Sequence, residues 1–108
     1  MKRISMLLAL AALASGAASA GNPDRGADKA KQACAACHGA DGNTPLQPEY
    51  PRIAGQHADY LYKSLRDYQS GARKNAIMAS QAASLSRQEM QDLAAYYSRL
   101  KGSLGVIR

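Results

Sequence analysis

The sequence predicts an all-α domain with three main helices, and three observations lead to this fold class. Three stretches combine helix-capping signals with apolar residues at helical spacing. A long stretch rich in glycine and proline, residues 39–56, follows the first of them and is predicted to be loop. No segment alternates apolar and polar residues in the way a half-buried strand does.

The first helix is predicted to run from residue 22 to about residue 38. Asn22 is a suitable N-cap, and Pro23 fits the first helical position because proline has no amide hydrogen to leave unpaired. Gly26, Ala30 and Cys34 follow at intervals of four and therefore share one face. Such a stripe of small residues lets a second helix approach closely.

The second helix is predicted over about residues 57–70. Leu61 and Leu65 give it an apolar face, and Gly71 is a good stop because glycine adopts the left-handed conformation that ends helices. The segment 72–85 is less regular and is predicted to be loop with a short helical turn.

The third helix has the clearest signals at its start. Ser86 and Glu89 match the S-x-x-E capping box, in which each side chain pairs with the other residue's backbone amide. Leu85 and Met90 occupy the two positions of a hydrophobic staple. The helix is predicted to end near residues 101–102.

The first twenty residues have the layout of a secretory signal peptide. Two basic residues precede an apolar run at 4–14, and Ala-Ser-Ala at 18–20 provides a small-x-small cleavage site. We therefore expect residues 1–20 to be a signal peptide and residues 21–108 to form a single domain. The apolar run is short for a membrane crossing, and without cleavage the segment would serve as an anchor.

Composition limits both the core and the partners. The chain of 108 residues contains no Trp, no Phe and six Tyr, so its protein core is small and leaves room for an apolar cofactor. Removal of Lys2 and Arg3 lowers the formal net charge from +6 to +4. This moderate basicity suits an acidic protein or an anionic membrane surface, whereas the scattered basic residues of an exported chain argue against nucleic acid.

The motif that carries chemistry is Cys34-Ala35-Ala36-Cys37-His38. A disulfide between the two cysteines would close a very small loop, and a zinc site needs about four ligands, of which the fourth candidate, His57, lies far away in sequence. A thioredoxin-like dithiol normally follows a strand, and no strand is predicted here.

Covalent haem attachment uses every residue of the motif. Cysteines three residues apart lie on one side of a helical turn and can form thioethers with the two vinyl groups of one porphyrin. His38 can then bind the iron as its proximal ligand. The motif predicts one haem c bound covalently through Cys34 and Cys37.

The second axial ligand has three candidates, Met78, Met90 and His57. Met90 already has a packing role at the start of the third helix. This leaves Met78, which lies in the irregular segment, His57, which is expected to be exposed in the first turn of its helix, or an open position.

Beyond these residues, the chain resembles a known family. The stretches CAACHG, YPRIAGQHADYL, YQSGARKNAIM and LSRQEMQDLAAYY carry the resemblance, which covers nearly all of residues 22–101. They resemble the class I c-type cytochromes, and in particular the small single-haem bacterial type and one half of the di-haem cytochromes of the c-four type. The resemblance implies a cytochrome c fold in which three main helices and their loops surround one haem.

The resemblance also implies roles for individual residues. In the pattern R-x-N-x-x-M, the methionine that binds iron corresponds to Met78. The carbonyl of Pro51 would accept a hydrogen bond from the second ring nitrogen of His38, and Ile53 would be an apolar haem contact. A contact between the first and last helices is implied for Gly26, Leu93 and Tyr96, while the haem propionates or the methionine sulfur could be bound by Tyr50, Arg52, Gln56 or Asn75.

The function implied is that of a soluble periplasmic one-electron carrier rather than an enzyme, without stable membrane insertion after signal cleavage. Its partners would be a terminal oxidase or another periplasmic redox enzyme with an acidic docking site, approached through Arg52, Arg73 and Lys74. The alternative is a haem-based sensor, a ligand-binding protein or a small peroxidase-like enzyme with a labile sixth ligand. A third possibility is a subunit that stays bound to a larger redox complex.

Overall fold

The computed structural model describes residues 21–102, and their regular structure is entirely helical. Five helices follow in order: α1 (Pro23–Ala33), α2 (Ala35–His38), α3 (Ala58–Ser70), α4 (Ala76–Ala82) and α5 (Arg87–Arg99). The all-α class and the long loop after the haem motif are confirmed. The predicted signal peptide at residues 1–20 lies outside the described residues. Within residues 21–102, no helix has the length and apolar character that a membrane crossing requires.

The start of the first helix agrees with the capping prediction. The side-chain oxygen of Asn22 accepts hydrogen bonds from the backbone amides of Asp24 and Arg25, at 2.9 and 3.0 Å. Pro23 follows as the first helical residue. These bonds satisfy amides that would otherwise lack a partner inside the helix.

The prediction of one continuous helix to residue 38 is wrong at Cys34. The chain turns there, with φ −118° and ψ −40°, and α2 begins at the next residue. The carbonyl of Cys34 accepts from the amides of both Cys37 and His38, at 3.2 and 3.0 Å. The shorter-range bond tightens the turn, as is common where helices end. The two cysteines and the histidine therefore belong to one tight turn attached to the end of α1.

α1 and α5 pack closely because one position on α1 has no side chain. A Cβ atom added to Gly26 would lie 2.0 Å from the carbonyl oxygen of Asp92 and 2.8 Å from the Cβ of Tyr96. Ala30, one turn further, is only 3% exposed, and Leu93 on α5 is 2% exposed. The predicted contact between the first and last helices is confirmed.

The predicted capping box of α5 is also confirmed. The Ser86 hydroxyl oxygen accepts from the Glu89 amide at 3.0 Å, and a Glu89 carboxylate oxygen accepts from the Ser86 amide at 2.9 Å. Leu85 and Met90, the two staple residues, are buried in the same core cluster. This junction fixes the direction in which α5 leaves the preceding segment.

The segment 72–85 contains more helix than predicted. α4 occupies seven of its residues and begins after Asn75, whose side-chain oxygen accepts from the backbone amide of Met78 at 3.0 Å. A helix this short gives almost no periodic signal in the sequence, and isolated helices of its length are unstable. Its position therefore depends on contacts with the rest of the domain.

A buried carboxylate fastens the beginning of the described chain to α5. Asp92 is 3% exposed and accepts hydrogen bonds from the Asn22 backbone amide at 2.8 Å, from Arg25 Nε at 3.0 Å and from Gln88 Nε2 at 2.9 Å. Burial of the carboxylate opposes its ionisation, but these donors outweigh that effect and hold the pKa of Asp92 below its ordinary value.

We expect the Asp92→Asn variant to be less stable than the wild type by about 2 kcal/mol at pH 7, because an amide cannot accept all three bonds. A lowered folded-state pKa means that the ionised carboxylate contributes fully above about pH 4 and that its contribution is lost as the pH falls through the folded-state value. Urea unfolding of the purified protein between pH 7 and pH 3 measures this difference, which should shrink at the acid end. Asp28→Asn, at an exposed position of α1, is the matched control. Equal effects of the two substitutions would contradict the role of Asp92.

Candidate cofactor site

Two adjoining cavities lie between α2, the loop at residues 39–57, α3 and α4, and α5 forms part of the wall of the second. Their volumes are about 220 and 230 Å³. Six residues line both of them, namely Cys34, His38, Pro51, Leu65, Tyr68 and Met78. Segments far apart in the sequence therefore bring a thiol, an imidazole and a thioether to one apolar space.

His38 is held in a defined orientation at the end of α2. Its side chain is almost completely buried, and its Nδ1 lies 2.8 Å from the carbonyl oxygen of Pro51. A carbonyl oxygen only accepts, so Nδ1 donates the hydrogen of this bond, and Nε2 is the ring nitrogen that the bond does not engage. The hydrogen bond that the resemblance implied is thus present, and it leaves Nε2 as the nitrogen available to a metal.

Cys34 and Cys37 are both free thiols and are half-buried. Cys34 lines both cavities, and Cys37 lines one of them. Burial raises the pKa of the Cys34 thiol, while its hydrogen bond with Tyr97 acts in the opposite direction. Across residues 21–102, three or more Cys, His, Asp or Glu side chains are nowhere grouped in a way that could hold a metal ion.

The three candidates for the second axial ligand occupy different environments. Met78, the third residue of α4, is half-buried and lines both cavities together with His38. Met90 is 2% exposed within the core cluster and lines neither cavity. His57 is exposed at the N-cap of α3 and also lines neither. Of these three, Met78 is the side chain that shares the cavities with the imidazole.

Ile53, expected as an apolar contact of the cofactor, is half-buried in the wall of one cavity. Tyr50 lines the other cavity and is also half-buried.

Three of the polar side chains considered for the propionates or the sulfur make bonds within the protein. Arg52 Nε donates to the carbonyl of Asn43 at 2.9 Å, and Gln56 Oε1 accepts from the His57 amide at 2.9 Å. Asn75 caps α4 through its side-chain oxygen. Part of the hydrogen-bonding capacity of each is therefore used to shape the cavity wall.

Sequence reasoning missed several contacts around the cavities. Tyr97 of α5 reaches the Cys34 thiol, and Gln69 of α3 reaches the end of α4. Arg73 lies with its guanidinium carbon 4.8 Å from the centre of the Tyr68 ring and donates to the Ser64 hydroxyl at 3.2 Å. None of these contacts has a pattern in the sequence that predicts it. The apolar wall of the cavities does, because the spacing of Leu61 and Leu65 on α3 indicated a buried face.

The donor set fits a covalently bound haem. Two thiols lie on one turn, the residue after the second presents an imidazole whose Nδ1 is bonded to the Pro51 carbonyl, and a thioether lines the same apolar space. Imidazole and thioether are both iron ligands in haem proteins, and thiols are the groups that become thioether links. Cys34 and Cys37 would hold the porphyrin, while His38 and Met78 would hold its iron.

Comparison with known proteins agrees with this chemistry. The family model for cytochrome c matches residues 23–101. Cytochrome c4 of Pseudomonas aeruginosa is 44% identical over 84 residues, which are 77% of this chain and 41% of that protein. Cytochrome c-554(548) of Halomonas halodenitrificans is 45% identical over 82 residues, covering 73% of this chain and 96% of that protein.

A solved structure shows the same fold. The crystal structure of reduced recombinant cytochrome c4 from Pseudomonas stutzeri superposes with a TM-score of 0.71 at 40% identity. The match covers 80% of this chain and 49% of that one, so the chain spans about half the length of the cytochromes c4 it matches. The family match over most of the chain and the donor set at the cavities lead to one conclusion: the chain belongs to the cytochrome c family, whose members carry electrons on covalently bound haem c.

Proposed function

We propose that the chain is a periplasmic single-haem electron carrier with His38 and Met78 as its axial ligands. The observation that carries this proposal is that both side chains line the same pair of apolar cavities. Cys34 and Cys37 are the covalent tethers. Pro51 and Ile53 complete the site as the acceptor that orients the imidazole and as an apolar wall.

The residues present account for the properties an electron carrier needs. When bound, haem c supplies a one-electron iron couple. With His38 and Met78 both bound to the iron, neither oxygen nor a substrate would have an open position on it, so the proposed role is electron transfer and not catalysis. The Pro51 hydrogen bond would hold the His38 ring in a fixed orientation toward the iron, and a thioether ligand from Met78 would raise the reduction potential.

The proposed location follows from the beginning of the sequence. In this proposal residues 1–20 are a secretory signal that directs export and is then removed. Export also takes the cysteines to the compartment in which haem is attached to c-type cytochromes. We propose that the mature chain is not stably inserted in a membrane.

The proposed partner is a redox protein with an acidic docking site, such as a terminal oxidase or another periplasmic redox enzyme. Arg52 and Arg73 are exposed and line one cavity, and Lys74 is exposed next to them in sequence. Basic groups beside the cavity would attract an acidic surface and raise the association rate at low ionic strength. We propose that nucleic acid is not a partner of this chain.

The test uses the protein purified from a periplasmic extract. Its intact mass should correspond to residues 21–108 plus one haem, and its visible spectrum should change reversibly between two oxidation states. The reduced protein should bind carbon monoxide slowly or not at all at neutral pH. Rapid stoichiometric binding would contradict the pair of axial ligands and favour a sensor or a peroxidase-like enzyme.

A further inference from the structure

The side chain of Gln69 joins α3 to the end of α4 and to the residue that precedes the N-cap of α5. From α3, its Nε2 donates to the carbonyl oxygen of Ala82 at 2.9 Å and to that of Leu85 at 2.8 Å. Ala82 is the last residue of α4, and Leu85 immediately precedes Ser86, the N-cap of α5. A primary amide has two hydrogens to donate, so this geometry uses both of them.

The two carbonyls that Gln69 reaches belong to buried residues. Ala82 is 0% exposed and Leu85 is 6% exposed. The carbonyls at the end of a helix lack partners inside the helix and must find them elsewhere. The Leu85 amide also donates to the Ala82 carbonyl at 3.1 Å, a bond within the chain that links α4 to α5. Gln69 adds a bond from α3 to the same end of α4.

This attachment lies one helical turn from Met78. Residues four apart share a face of a helix and are separated by about 6 Å along its axis. α4 has only seven residues, and its other end is capped by its own neighbour, Asn75. Since so short a helix is not stable by itself, its distance from α3 depends on side chains that cross between them. Gln69 makes such a crossing, and Leu65 and Tyr68 of the same helix line the cavities.

We propose that Gln69 is the positioning residue for the axial methionine: its two hydrogen bonds hold the end of α4 so that the Met78 sulfur stays within bonding reach of the iron. This inference rests on the proposed function, because it takes Met78 as the ligand. Loss of the two bonds lets α4 move away from α3, and the iron–sulfur bond is then broken in a larger fraction of molecules.

The test compares Gln69→Glu with the wild type as haem-bound proteins. The substituted carboxylate has nearly the same shape but cannot donate, and it faces two carbonyl oxygens. We expect carbon monoxide to bind the reduced variant about tenfold faster, a change equivalent to about 1.4 kcal/mol. The long-wavelength absorption of sulfur bound to ferric iron should weaken, and the midpoint potential should fall. The intact mass should differ from that of the wild type by the substitution alone, which shows that the haem is still attached.

Gln32→Glu, which introduces the same charge at an exposed position of α1, is the matched control and should leave all three readouts at wild-type values. Gln69→Leu removes both donors without adding charge and should act in the same direction, which keeps the proposal testable if the glutamate variant folds poorly. Lower unfolding stability with unchanged carbon monoxide binding, absorption and potential would overturn the positioning role. A wild type that lacks the sulfur–iron absorption would overturn the assignment of Met78 itself, and this inference with it.

Discussion

Replacement of both Cys34 and Cys37 with serine is expected to leave little folded protein. Without the thiols no haem can be attached, and the protein core alone is small. Eight apolar residues are buried among the described residues, and half of them are alanines: Ala30, Ala54, Ala82, Leu85, Met90, Leu93, Ala94 and Tyr97. Short side chains of this kind bury too little apolar area to stabilise a domain of this size by themselves.

The expected size of the effect follows from the cavities. An apolar cavity of about 220 Å³ left empty costs about 5 kcal/mol at roughly 24 cal/mol per Å³. The whole stability of a small domain is about 5–15 kcal/mol. Loss of the haem, which would fill this cavity and its neighbour, therefore removes most or all of the stability of the fold.

Circular dichroism and urea unfolding of the double variant measure this loss. Cys37→Ser alone is the matched comparison, since Cys34 can still form one thioether and retain the haem. A cooperative unfolding transition of near wild-type stability in the double variant, with no haem bound, would contradict this account of the core.

The parts of the fold that could be predicted are those whose signals are local. Asn22 and Pro23 mark the start of α1, and Ser86 with Glu89 marks the start of α5, because capping depends on residues two or three apart. The turn at Cys34 was not predicted, and α4 was predicted only as a short helical turn within a loop. Both are set by packing between segments, and neither leaves a periodic pattern in the sequence.

The same distinction applies to the site. Cys34, Cys37 and His38 could be found because five consecutive residues carry their chemistry. Pro51 is 13 residues from His38, so only the resemblance to a family pointed to it. Gln69 contacts carbonyls 13 and 16 residues away, and nothing in the sequence distinguishes it from an ordinary exposed glutamine.

Met78→Ala is expected to separate haem attachment from axial ligation. The thioether links at Cys34 and Cys37 lie on another segment, so the haem should stay bound. The iron, however, loses its thioether ligand, and a methyl group cannot replace it. We therefore expect rapid, stoichiometric carbon monoxide binding to the reduced protein, loss of the long-wavelength absorption of sulfur bound to ferric iron, and a lower midpoint potential, since methionine ligation raises it.

Met90→Ala is the matched control, because it removes the same side chain from a different environment. Met90 is 2% exposed in the core cluster and lines neither cavity, so its loss should lower stability by about 2–5 kcal/mol. The spectrum and the carbon monoxide binding rate should remain those of the wild type. The two substitutions thus act on different quantities, ligation in one case and packing in the other. An unchanged spectrum in Met78→Ala, or carbon monoxide binding gained in Met90→Ala, would show that the iron takes its second ligand from elsewhere in the chain.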